Sequence, residues 1–423
     1  MSKRLFALFA LLLVAAMVLA ACGTPQTPAA TEPPAETEAP PATEAPAGGE
    51  PAECGSDAFG CAVIAAGESI KIGMGSPLTG DNASFGIDIS QGATVALEDA
   101  GEFEGFTFEL VSEDDGGAPE GGAAVANKLV SDPNVVAVAG HIFSGATQAA
   151  IPIYEAAGIP MMSPSATNPA LTTTGSKVFN RLVFTDAAQG KFAAEYMYNE
   201  LGFTKIAVMH DGQAYGQGLA EVVRDEFTAL GGEVTEFQAI TPGESDYSAP
   251  LAAIAAKSPE ALYYGGYVQE AVVLVNGMKS SGLTDTVFYG CDGTFGQDFL
   301  DRTGANGEGS YGTSLIPAAS AAKDAFDAAY LEKFGTEAGK LSPFTWNAYD
   351  SAATLAFAIK SVAFVGDDGS LNIPRGALVD AVRSLNSYQG IGGVVTCDDT
   401  GECSASGPTF YVVQDGAWVP ATE

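Results

Sequence analysis

Five turns in this 423-residue chain carry the residue types that could do chemistry. The first, Gly140-His141-Ile142-Phe143-Ser144-Gly145, follows the apolar run 135–139, and the second, Ser163-Pro164-Ser165-Ala166-Thr167-Asn168-Pro169, follows Met161-Met162. A hydroxyl residue at a helix start both caps the helix and presents a donor to an anion, so Ser144, Ser165 and Thr167, with Ala166 between the last two, suit a carboxylate. The other three turns are His210-Asp211-Gly212-Gln213-Ala214-Tyr215-Gly216, Gly265-Gly266-Tyr267 and Gly290-Cys291-Asp292-Gly293. They add two rings, Tyr215 and Tyr267, and one carboxylate, Asp292. Hydroxyls and amides for a carboxylate, Asp292 for an ammonium and rings over a side chain describe a site for a zwitterion. Each residue also has a plain structural use: Ser144 as a helix cap, Ser165 and Thr167 as turn formers, Asp292 as a turn aspartate before glycine.

Other chemistries fit less well. The chain has no P-loop, no G-x-G-x-x-G and no convergent Arg or Lys for a phosphate. His141 and His210 sit at strand ends, flank no nucleophile and stand in no Ser-His-Asp order, so an enzyme is not expected. No cofactor or metal is expected either. The 52 acidic against 18 basic residues give a net charge of −34. Only Glu32, Glu36, Glu38, Glu44, Glu50 and Glu53 of those acids precede residue 54, so the folded part is itself acidic, a poor partner for nucleic acid or anionic headgroups.

The elements that must position these turns follow from periodicity. Short β-branched runs at 70–73, 106–111 and 135–139 alternate with helical patterns at 87–98, 120–130 and 144–157. A second series begins near 186, with strands at 205–209, 234–240, 261–264 and 286–289. Helices are expected at 319–334, 345–364 and 377–385, and a last pair of strands at 393–396 and 409–413. Strand–helix alternation of this kind predicts an α/β fold with parallel central sheets and helices on both faces. Ligands bind in such folds beyond the carboxyl ends of the strands, where all five turns fall.

The first residues predict export. Lys3 and Arg4 precede an apolar run at 5–21, the layout of a signal peptide, with a core shorter than most membrane spans. The run ends Leu19-Ala20-Ala21-Cys22-Gly23, which resembles a bacterial lipobox and implies lipidation of Cys22 and a membrane anchor. Residues 22–53 are dominated by Thr, Pro, Ala, Glu and Gly, a disordered tether. Roughly 370 residues remain, enough for two domains. Cys54 and Cys61 enclose one short loop, and Cys397 and Cys403 another. In an exported chain disulfides are the natural assignment, with metal ligation the alternative, leaving Cys291 as a free thiol.

Taken with GSPLTGDNASFG, the strings GHIFSGATQAAIPIYEAAGIPMMSPSATNPALTTTG, HDGQAYGQGLA and ALYYGGYVQE resemble the leucine/isoleucine/valine-binding proteins of bacterial ABC-type uptake systems. The likeness runs over 70–412. It implies the type I periplasmic-binding-protein fold: two Rossmann-like lobes, 69–186 plus 313–387 and 187–312 plus 388–423, joined by a three-strand hinge. It implies a monomer that captures an amino acid by lobe closure and delivers it to a membrane permease. In this likeness Ser144 and Thr167 hold the ligand carboxylate, while Thr167 and the Ser165 carbonyl also share the ammonium. Tyr215 and Tyr267 close over the ligand, Asp292 stands where relatives place a glutamate on the ammonium, and Phe85 where they carry a tyrosine. Phe143 takes a position that is cysteine in some relatives. The remaining alternatives are a ligand sensor, or the same fold binding an amide, urea or another small carboxylate.

Overall fold

Residues 52–403 and 407–421 are described by the computed structural model of the protein. The expected signal peptide, Cys22 and the tether as far as residue 51 lie outside them; residues 52 and 53 already belong to a first helix, Ala52–Ser56.

Two sheets organise the chain. The first is five parallel strands in the order Phe108–Asp114, Ile70–Ser76, Val135–Val138, Met161–Ser163 and Phe179–Arg181. Every residue of Val135–Val138 is buried, as an uninterrupted apolar strand covered on both faces requires. Helices Pro119–Val130 and Ser144–Ala157 approach closely at Gly122, where a Cβ would come within 2.4 Å of the Ala146 carbonyl oxygen.

The second sheet has seven strands, in the order Ala417–Pro420, Thr409–Gln414, Tyr311–Ser314, Val287–Tyr289, Ala261–Gly265, Lys205–His210 and Glu233–Ala239. Five are parallel, and the last two in sequence are antiparallel, with Ala417–Pro420 at the edge. Ala417–Pro420 was not among the expected strands. Its neighbour of that expectation, Val394–Val395, instead makes a two-residue hairpin with Tyr388–Gln389. A small antiparallel sheet of Cys61–Ile64, Leu371–Pro374 and Phe364–Val365 was also unforeseen, its strands being too short and too far apart in sequence for a local signal.

The chain passes between the sheets three times: through 182–185, after Ser314 and between Cys403 and Thr409. The boundaries expected at 313 and 388 are corrected by the hydrogen bonding. Tyr311–Ser314 is wholly paired in the second sheet. Residues 388–403 are bonded to the first lobe, because the buried Asp350 carboxylate there accepts from the amides of Ile391 and Gly392, both at 2.8 Å. Tyr388 rests on Phe357 at 5.3 Å, and Cys403 N–H donates to the Arg181 carbonyl. Cys54 is bonded to Cys61 and Cys397 to Cys403, while Cys291 is a buried free thiol. Among the described residues no helix is long and apolar enough to cross a membrane.

Buried aspartates shape the pH dependence of stability. Burial raises Asp88 to about 7 against its bonds from Tyr330 and Thr345, Asp211 to about 7, and Asp350 to about 6. A carboxyl raised on folding stabilises below its unfolded value, near 4, and that contribution is lost as pH rises through 6 to 7. Asp57, Asp114, Asp132 and Asp398 are held below the usual carboxylate range, so their contribution is lost only as pH falls through that range. Melting followed by circular dichroism is therefore expected to give the highest Tm near pH 5, and a Tm at pH 8 lower by roughly 5–10 °C. A Tm that rises from pH 5 to pH 8 would contradict it.

Candidate functional site

The carboxyl ends of the two sheets face one another across a cleft lined by Phe85, Ile142, Phe143, Ser144, Ser165, Tyr215, Tyr267, Asp292, Gly293 and Phe344. The room left between these residues is about 10 Å³, close to that of a single water, so in this structure the two lobes nearly meet across the cleft.

On the first lobe the polar contribution comes from two turns bonded to each other. Ser144 opens a 14-residue helix whose first internal bond runs from Thr147 N–H to the Phe143 carbonyl. The preceding amides have no intrahelical acceptor and, with the helix dipole, favour an anion there. The Ser144 hydroxyl accepts from Asn168 N–H at 3.3 Å, and Ser165 Oγ donates to the Ile142 carbonyl at 2.8 Å. Ala166 and Thr167 lie behind this lining, both with no exposed surface. The Thr167 carbonyl accepts from Asp186 N–H at 3.0 Å, and its hydroxyl stands beside the Asp186 carboxyl, with Thr167 Oγ1 and Asp186 Oδ2 both lacking a well-formed hydrogen bond.

On the second lobe Asp292 begins a short 3-10 turn after the strand Val287–Tyr289 and is 2% exposed. Its Oδ1 accepts a short bond from the Tyr215 hydroxyl and a 2.8 Å bond from Gln189 Nε2. Gln189 also takes the Asp292 amide, at 3.1 Å, and the Thr313 hydroxyl on its Oε1. Gly293 fits there because a Cβ would lie 2.6 Å from the Gly266 carbonyl oxygen and about as tightly on Tyr215. Burial raises the Asp292 carboxyl above its ordinary value, and the bonds from Tyr215 and Gln189 oppose the shift. Asp186 is raised well above its ordinary value, by burial and then by the Asp292 charge. Two acids thus share a buried region, a setting in which an incoming cation is favoured.

Aromatic rings make the remaining walls. Phe143 and Tyr267, from opposite lobes, stack with centroids 4.2 Å apart and planes 16° from parallel. Phe85 meets Phe143 edge-on at 6.3 Å and Phe344 at 6.5 Å, and Tyr215 lies 5.2 Å from Tyr267. Of the predicted residues, Phe85, Ser144, Ser165, Tyr215, Tyr267 and Asp292 line one cleft. His141 does not: it is buried between Asp115, at 2.8 Å, and the Tyr154 hydroxyl, at 3.1 Å. His210 accepts from Gly212 N–H and packs on Phe237.

Sequence reasoning missed Gln189, Asp186, Phe344 and Phe143 as parts of the site. The signal for the first two was present, since 182–185 is a sixth segment leaving a strand end. It has no glycine and its hydroxyl comes last, so it reads as chain connection. Phe344 comes from a loop after no strand, where the rule about strand ends has no reach.

Residues 69–416 match the model of a protein family described as periplasmic binding protein. The chain is 40% identical over 218 residues to a Pseudomonas aeruginosa protein named amino acid binding protein, a match covering 51% of this chain and 58% of that one. It is 31% identical over 363 residues to the Leu/Ile/Val-binding protein homolog 1 of Brucella suis, covering 84% of this chain and 94% of the relative. Among solved structures, the branched-chain amino acid transporter substrate binding protein LivJ of Streptococcus pneumoniae, in complex with isoleucine, superposes with a TM-score of 0.73. It shares 28% identity and covers 83% of this chain and 97% of that one. With a family match running over both sheets and the cleft between them, this chain belongs to the periplasmic binding protein family.

Proposed function

We propose that the protein captures an α-amino acid with an apolar side chain, in the branched-chain class, and closes its lobes around it for delivery to an ABC-type permease. The observation that carries this is the placement of opposite chemistries across one cleft. An acidic group, Asp292, faces it from one lobe, and a helix N-terminus with the Ser144 hydroxyl faces it from the other, with aromatic walls between. A zwitterion satisfies both ends at once, whereas an amide, urea or simple carboxylate leaves a buried acid unpaired.

In this reading the ligand carboxylate docks on the amides and hydroxyl at Ser144, with Ser165, Ala166 and Thr167 shaping the turn beside it. Closure then brings Tyr215, Tyr267 and Asp292 over the ligand, the ammonium pairing with Asp292. Phe85, Phe143, Phe344 and Ile142 surround the side chain. The lobes that move are the two sheet domains, the segment 388–403 travelling with the first. The names of the relatives and the isoleucine in the LivJ complex support the same class of ligand.

The chain acts extracytoplasmically as a monomer, held at the membrane by lipid on Cys22. Cys22→Ser is expected to move it from the membrane pellet to the soluble fraction, and retention in the pellet would refute the anchor. The test of the ligand class is titration with an amino acid and with its two singly charged analogues.

A further inference from the structure

The first lobe contains a buried cation that the ligand chemistry does not use. Arg181, at the end of the strand Phe179–Arg181, has no exposed surface. Its five N–H donors are all engaged. Nη1 donates to the carbonyls of Ala166, at 3.0 Å, and Asn168, at 2.8 Å. Nη2 donates to Thr172 Oγ1 at 3.2 Å and, in a short bond, to Glu402 Oε1; Nε donates to Glu402 Oε2 at 2.8 Å. The guanidinium therefore grips both sides of Thr167 in the turn whose Ser165 lines the cleft.

The bidentate partner, Glu402, comes from 221 residues away and belongs to the loop closed by the Cys397–Cys403 disulfide. That loop is tightly organised. Asp398 Oδ1 accepts from the amides of Thr400, Gly401 and Glu402, and the backbone of Arg181 exchanges bonds with the Gly401 carbonyl and Cys403 N–H, each at 3.0 Å. Thr172 closes the arrangement by donating to Glu402 Oε1 at 2.7 Å. A fork-to-fork pair of this kind fixes orientation as well as charge. A buried guanidinium without its carboxylate must find another anion or draw in water.

We propose that Glu402 is a positioning residue for ligand capture: the disulfide loop holds Glu402, Glu402 orients Arg181, and Arg181 fixes the 165–168 turn against which the ligand docks. The consequence for binding rests on the amino-acid reading above; the consequence for the turn does not. Asn168 makes the turn matter to closure too, because its amide donates to Ser144 and its Nδ2 donates across the cleft to the Ala214 carbonyl at 2.6 Å.

The test uses the full chain with Glu402→Gln, chosen because the Glu402 side chain is partly accessible, and measures two things. Amide hydrogen exchange without added ligand is expected to be at least tenfold faster at Ala166 and Asn168, with the strands Ile70–Ser76 and Val135–Val138 protected as in the unsubstituted protein. Isoleucine is expected to bind about tenfold more weakly, chiefly through faster dissociation. The double variant Cys397→Ser/Cys403→Ser is expected to show the same local loosening, and decides the matter if Glu402→Gln does not fold. Unchanged exchange at Ala166 and Asn168, or a uniform rise across the lobe, overturns the proposal and leaves the pair as a general staple. If the unsubstituted protein binds no amino acid, the ligand reading fails, while the exchange data still decide the role of Glu402.

Discussion

Asp292→Asn is expected to weaken amino-acid binding by at least 100-fold and to leave Tm unchanged or slightly higher. Asparagine keeps the shape and the Oδ1 acceptor that Tyr215 and Gln189 use, so the turn 292–294 retains its bonds. What it removes is the charge. Truncating one partner of a buried, hydrogen-bonded charge pair costs about 2–5 kcal/mol, and 100-fold in Kd corresponds to roughly 2.7 kcal/mol. Without ligand the same carboxylate is a burden, since its burial disfavours the charged form. Neutralising it relieves that cost, which is why affinity and stability are expected to move independently. Calorimetry and thermal melting of one preparation check both, and affinity within threefold of the unsubstituted protein would remove Asp292 from the ammonium site.

Phe143→Ala is expected to change which amino acid binds best. The Phe143 ring is 5% exposed, lies face to face with Tyr267 and edge-on to Phe85, and so fills the apolar side of the cleft between the lobes. Two rings at that separation are in van der Waals contact and admit no side-chain atom between them. Removing the ring lets long side chains extend where short ones gain nothing. Each methylene newly buried is worth about 1 kcal/mol, so the ratio of leucine to alanine affinity is expected to rise roughly tenfold or more. The variant should also lose stability, because the ring packs against Gly117 within its own lobe as well as across the cleft. Titration of both amino acids into both proteins gives the ratio; an unchanged ratio would show that Phe143 does not measure side-chain length.

Much of this site was legible because its parts are local. An apolar strand followed by a helix with a hydroxyl at its start is a short-range pattern, and it placed Ser144, Ser165, Tyr215, Tyr267 and Asp292 on strand ends that the fold brings to one cleft. What was not legible depends on contacts across long stretches of chain. Gln189 and Asp292 are 103 residues apart, and neither is unusual in its own neighbourhood. Glu402 reads as a loop acid between two cysteines until Arg181 is seen beside it. The boundary set at 388 fell 16 residues early for the same reason: Asp350, on a helix, holds the 391–392 amides through side-chain bonds that no periodicity announces. Hydrophobic pattern reports which face is buried and says little about which distant segment buries it.

On the proposed reading the cleft recognises both charges of a zwitterion at once. The most direct measurement is calorimetric titration of the protein, freed of co-purified solutes, with leucine, with its deaminated analogue 4-methylpentanoate and with its decarboxylated analogue 3-methylbutylamine. Leucine is expected to bind one to one, and each analogue at least 100-fold more weakly, because each leaves one lobe without its partner. If 4-methylpentanoate binds as tightly as leucine, the Asp292 carboxyl is not paired with an ammonium, and the protein is a binder of simple carboxylates on the same fold.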